Sequence, residues 1–154
     1  MNRRTHVIVG MGSGAAVAML RARGQDPWKQ LAEAAGGALG GFAGARAPDV
    51  LEPAVHSWHR DTCHSVAAAG AIVVAVRRGM HTCETKCRTV ADDFASRRAV
   101  LGAGDPLRLL LLLAEVACRM AAGFLNGLAA GYVSHLALDA VTPRSIPLLS
   151  QALV

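Results

Sequence analysis

Residues 32–47 read AEAAGGALGGFAGARA, and this run decides the fold. Gly36, Gly40 and Gly44 recur every four residues, as do Gly37 and Gly41, so a helix through them lets a second helix backbone approach closely. Asp26 followed by Pro27 supplies the N-cap and first residue of that helix, which the glycine ladder carries to about Ala45. Upstream, Thr5 caps a first helix running through Leu20, with Gly24 just beyond its end. Downstream, Ala47 to His59 holds Pro48 and Pro53 and reads as a loop, after which Asp61 or Thr62 caps a third helix that runs through Val76 and stops near Gly79. A short helix over about Thr85 to Leu101 follows. Asp105 with Pro106 then opens a long helical region to about Ala140, with a break expected near Gly123 or Gly127, and Pro143 and Pro147 end it. No segment alternates apolar and polar residues between turn signals, and no internal repeat is present. The expectation is an all-α, compact, Gly/Ala-rich bundle of five or six helices, a single domain over 1–154 with 77–104 as a polar insertion.

Composition narrows the function classes. Of 154 residues, 30 are Ala and 16 are Gly, which suits close helix packing. With 53% hydrophobic and 18% charged residues and a mean hydropathy of +0.34, a disordered chain or polar linker is excluded. The net charge of +5 admits an anionic partner such as lipid headgroups, phosphate esters or nucleic acid, and selects none. No uninterrupted run of 18 apolar residues occurs: the stretch from Leu107 to Leu138 is broken by Arg108, Glu115, Arg119, Asn126 and His135. Small-xxx-small ladders serve helix association in lipid and tight packing in a soluble core alike. The four cysteines are unevenly placed and no secretory signal precedes them, which points to a reducing compartment.

Chemistry-bearing residues sit where apolar segments begin or end. His135 and Asp139, four apart on a helix, project from one face about 6 Å apart along the axis, a spacing that suits a metal ion or a simple His–Asp pair. His59 and His64 are five apart and converge only if His59 precedes a helix cap and His64 lies in the first turn, where backbone N–H groups also favour an anion. Asp49 and Glu52 occupy a Pro-flanked segment in apolar surroundings, where carboxylates need partners and metal ions would serve. His6 stands at the start of the first helix.

In combination, His6, Pro48-Asp49, His59-Arg60-x-x-x-His64-Ser65 and Gly131-Tyr132-x-x-His135-x-x-x-Asp139-x-x-Thr142-Pro143 resemble the YdjM-like family of inner membrane-associated, metal-dependent hydrolases, some labelled LexA-binding. That family looks distantly similar to zinc-dependent phospholipase C and P1 nuclease. The resemblance implies one or two divalent ions, zinc by ligand type, held by His6, Asp49, His59, His64, His135 and Asp139. It also implies a chemistry in which the metal lowers the pKa of water towards about 7 for attack on an ester or phosphodiester. Arg60 and Glu52 are then the catalytic candidates, Arg60 as a forked donor that orients an anionic substrate. One departure stands out: the family loop reads Pro-Asp-x-Asp, whereas Leu51 holds the second acidic position and Glu52 follows. That departure leaves three readings open: Glu52 or His56 substitutes, one metal is lost, or the site is degenerate.

Two weaker signals accompany these. His81-x-Cys83-x-x-x-Cys87 has zinc-like spacing, with Cys63 or Cys118 to complete a set, but reads better as reduced thiols in a polar stretch. Arg3-Arg4, Arg77-Arg78 and Arg97-Arg98 come without a nucleic-acid-binding motif, so nucleic acid is not the expected partner. They suit the cytoplasmic side of a bacterial inner membrane, with membrane lipids as partners. The alternative to a hydrolase is a non-catalytic helical membrane or interaction protein with a structural or vestigial metal site.

Overall fold

The computed structural model describes residues 3–51 and 66–141, all in helices and the turns between them. Four helices follow in order: α1 (Arg3–Arg21), α2 (Pro27–Leu51), α3 (Val66–Ala99) and α4 (Leu107–Ala140). The all-α reading stands, and the count of five or six helices is corrected to four among the described residues. Gly79 does not stop α3, and the stretch expected as a separate helix is its second half. One Gly costs a helix only about 1 kcal/mol, too little to break one held by neighbours. For the same reason α4 runs unbroken through Gly123 and Gly127.

Two helix ends also differ from expectation. α1 starts at Arg3, so Thr5 lies inside it rather than capping it. The expected loop from Ala47 is helical as far as Leu51, with buried Pro48 inside the last turns of α2. Pro48 removes one helical hydrogen bond, but the packing of α4 against Ala45 and Asp49 holds those turns. Other punctuation reads as expected. Gly24 takes φ +85° in the turn after α1, a conformation natural to glycine. The Leu107 amide donates to Asp105 Oδ1 at 2.8 Å at the start of α4.

The glycines decide how these helices pack. A Cβ on Gly36, Gly40 or Gly44 would fall against the α4 backbone at Met120, Phe124 or Leu128. A Cβ on Gly123, Gly127 or Gly131 would fall against the α2 backbone at Glu33, Gly37 or Gly41. Residue numbers rise together along this contact, so α2 and α4 are parallel. The other side of α2 meets α1 in antiparallel fashion, Gly10 opposite Gly41 and Gly14 opposite Gly37. α1 also packs on α4, closing a three-helix unit. α3 returns the chain and packs on α4. α4 alone among the described helices is long and apolar enough to cross a membrane, with a mean hydropathy of 1.6 in its best window.

Candidate metal centre

The antiparallel pairing of α1 with the other two helices brings the first turns of α1 beside the last turns of α2 and α4. His6, His135 and Asp139 meet there, all buried, with one ligand atom from each within 4.8 Å of the others. His6 Nε2 lies 3.5 Å from Asp139 Oδ1, His135 Nε2 lies 3.4 Å from Asp139 Oδ2, and the two imidazole rings are 4.3 Å apart. Asp49, from the last turn of α2, reaches the same place with Oδ1 3.5 Å from His135 Nε2, and its side chain is 46% exposed. The site therefore has a buried interior and one carboxylate at the rim.

Backbone geometry sets the chemistry of His135. Its Nδ1 sits 2.6 Å from the Ala45 carbonyl oxygen, an acceptor, so Nδ1 carries the proton and donates it there. Nε2 then faces Asp139 and Asp49, an arrangement favourable with a cation between them or a proton on the ring. An imidazole oriented by a backbone carbonyl through its other nitrogen is the usual support for a metal ligand. His6 Nδ1 is also buried, without a hydrogen-bond partner among the described residues. Two imidazoles and one carboxylate within this span, with Asp49 beside them, could hold a metal ion.

Of the six positions expected as metal ligands, His6, Asp49, His135 and Asp139 are brought together. His59 and His64, with the catalytic candidates Glu52 and Arg60, and also His56 and Cys63, lie outside the described residues. His81, Cys83, Cys87 and Cys118 form no ligand group, and among the described residues the trio at His6 is the one cluster that does. Burial pushes the Cys87 thiol up from its ordinary value, and the neighbouring Cys118 and Cys83 act in the same direction.

An apolar cavity of about 180 Å³ is lined by Gly44, Ala47, Leu51, Met80, Leu128 and Tyr132 among others, none of them a member of the trio. Leu51, the departure from the family loop, is part of its wall.

A second polar cluster was not expected. Glu33, fully buried on α2, receives Arg88 of α3 at 2.6 Å, and Arg88 also pairs with Glu84 at 2.8 Å. Arg21 of α1 reaches Glu84 at 2.9 Å, and buried Arg119 of α4 donates to Gln25 and Asp92. The hydrogen bonds to Glu33 raise the Arg88 pKa against the effect of burial, so that guanidinium is firmly charged. Arg119 and His135 are 16 positions apart on α4, about 24 Å at helical rise, so this network and the trio occupy opposite halves of the bundle. The signal in the sequence was the Glu115 and Arg119 interruption of an apolar run, four residues apart. Charges at such places are kept when they have partners.

No curated protein and no solved structure matches the chain. A family model described as the YdjM inner membrane protein matches residues 1–150, nearly the whole sequence, and the chain therefore belongs to the YdjM inner membrane protein family.

Proposed function

We propose that this inner membrane protein is a metal-dependent hydrolase of an ester or phosphodiester, with its site at the cytoplasmic side and its ion held by His6, His135 and Asp139, and by Asp49 at the rim. The observation that carries the proposal is the burial of two imidazoles and a carboxylate within 4.8 Å, drawn from helices distant in sequence. A divalent ion, zinc by donor type, supplies Lewis acidity there, making water nucleophilic near neutral pH and steadying negative charge on the substrate oxygen.

The chain's own residues have separate parts. Ala45 holds the His135 ring so that Nε2 keeps its lone pair for a ligand, and Asp139 bridges the two imidazoles. Asp49, the half-exposed carboxylate, accepts a proton on the solvent side. His59, His64, Arg60 and Glu52 stay candidates on sequence grounds.

Elemental analysis of protein purified without added metal tests this, comparing wild type with His135→Ala and Asp139→Asn, with helicity checked by circular dichroism. The expected result is one or two equivalents of zinc in wild type, lost in both folded variants, with hydrolysis of bis(4-nitrophenyl) phosphate or a 4-nitrophenyl ester by wild type alone. Folded wild type that neither holds nor takes up metal overturns the proposal. A structural metal site is the second reading, favoured by Leu51 at the position where the family loop has an acid. Metal-dependent stability without turnover identifies it.

A further inference from the structure

A groove on the outer side of the α1–α2 pair differs in chemistry from everything described so far. It encloses about 400 Å³ and is lined by Arg4, Val7, Ile8, Phe42 and Arg46. Two guanidinium side chains and three apolar ones meet there, and among the described residues no carboxylate lines it. Arg46 stacks its guanidinium over the Phe42 ring at 5.3 Å, and its Nε is buried without a hydrogen-bond partner among the described residues. No carboxylate of the described residues pairs with Arg46, in contrast to Arg21, Arg88, Arg97, Arg98 and Arg119. Ile8 is 68% exposed, and Met11 and Leu39, one helical turn further along their helices, continue the apolar surface outward.

We infer that this groove binds an anionic phospholipid, with the phosphate between Arg4 and Arg46 and the first methylenes of an acyl chain on Val7, Ile8 and Phe42. Charge complementarity selects the headgroup, because planar guanidinium forks match phosphate oxygens. The apolar floor selects an amphiphile over a soluble anion. The inference rests on family membership in the inner membrane and is independent of the hydrolase proposal. The groove also stands apart from the trio, whose His6 is buried toward α4.

The test uses the full chain in detergent and native mass spectrometry with dioleoyl phosphatidylglycerol, dioleoyl phosphatidylcholine and glycerol 1-phosphate. Wild type is compared with Arg4→Gln/Arg46→Gln and with Arg97→Gln, an exposed arginine on α3. Wild type is expected to prefer phosphatidylglycerol over phosphatidylcholine by about tenfold or more, the scale of two cations at a membrane surface. The double variant loses that preference and Arg97→Gln keeps it, while glycerol 1-phosphate competes poorly. Equal binding of the two lipids by wild type overturns the inference, and this comparison stands even if the double variant does not fold. A preference that survives in a folded double variant also overturns it, as does glycerol 1-phosphate competing as well as the lipid, which would mark a site for soluble anions.

Discussion

Glu33 is fully buried and holds Arg88 at 2.6 Å, with Arg119 Nη1 3.6 Å away. Replacing it with Ala strands positive charge inside the bundle, and the expected cost is about 3–5 kcal/mol in unfolding free energy. Asp93→Ala removes the exposed Arg97 pair and is expected to cost less than about 1 kcal/mol. Denaturant unfolding of both variants in detergent checks the contrast. Thiol chemistry gives a second prediction: Cys83 is exposed, whereas Cys87 is half-buried with a raised pKa. Iodoacetamide near pH 8 should label Cys83 well before Cys87, read by peptide mass spectrometry. Single residues were legible where their partner is local. His135 and Asp139 announce themselves by a four-residue spacing, and family motifs added His6 and Asp49. Glu33 and Arg88 are 55 positions apart, and nothing in either one's surroundings names the other.

Among the helices, α2 has no single apolar face because it is packed on both sides, by α1 through Gly37 and Gly41 and by α4 through Gly36, Gly40 and Gly44. Gly127→Ala would press a methyl group into the Gly37 carbonyl, and such overpacking costs about 1–3 kcal/mol or more. Gly12 on α1 faces open space, with nothing within 4 Å of the place a methyl group would take, so Gly12→Ala should stabilise by about 0.5–1 kcal/mol through helix propensity. Thermal unfolding midpoints moving in opposite directions would bear this out, and a neutral Gly127→Ala would contradict the packing. The glycine ladder makes α2 and its close packing readable in one dimension. The far end of α2 is not readable that way, because Pro48 is a strong local breaker and the α4 contacts that overrule it leave no mark in a linear pattern.

Taken whole, the molecule is a tight three-helix unit with α3 attached differently. The described part of α3 packs on α4 and reaches α1 and α2 through Glu84 and Arg88. Arg88→Ala is therefore expected to speed hydrogen exchange across the second half of α3 and leave the α1–α2 contact protected. The ion proposed at the trio would tie α1, α2 and α4 together, so a chelator should lower the unfolding midpoint, since an ion at a hundredfold excess over its Kd is worth about 2.7 kcal/mol. An unchanged midpoint in metal-loaded protein would count against the trio as the binding place. The helix count was the least legible feature at this scale, because whether a Gly interrupts a helix depends on its neighbours in space.

The order of the helices along the chain has one more consequence. His6 emerges early in synthesis and Asp139 late, while His135 finds its Ala45 support across the parallel α2–α4 contact. A nascent chain still carrying only α1, α2 and α3 has one of the three buried donors, His6, with Asp49 at the rim as its companion among the described residues. If the trio holds an ion as proposed, its full set of buried donors exists only once the final turns of α4 have left the ribosome and docked.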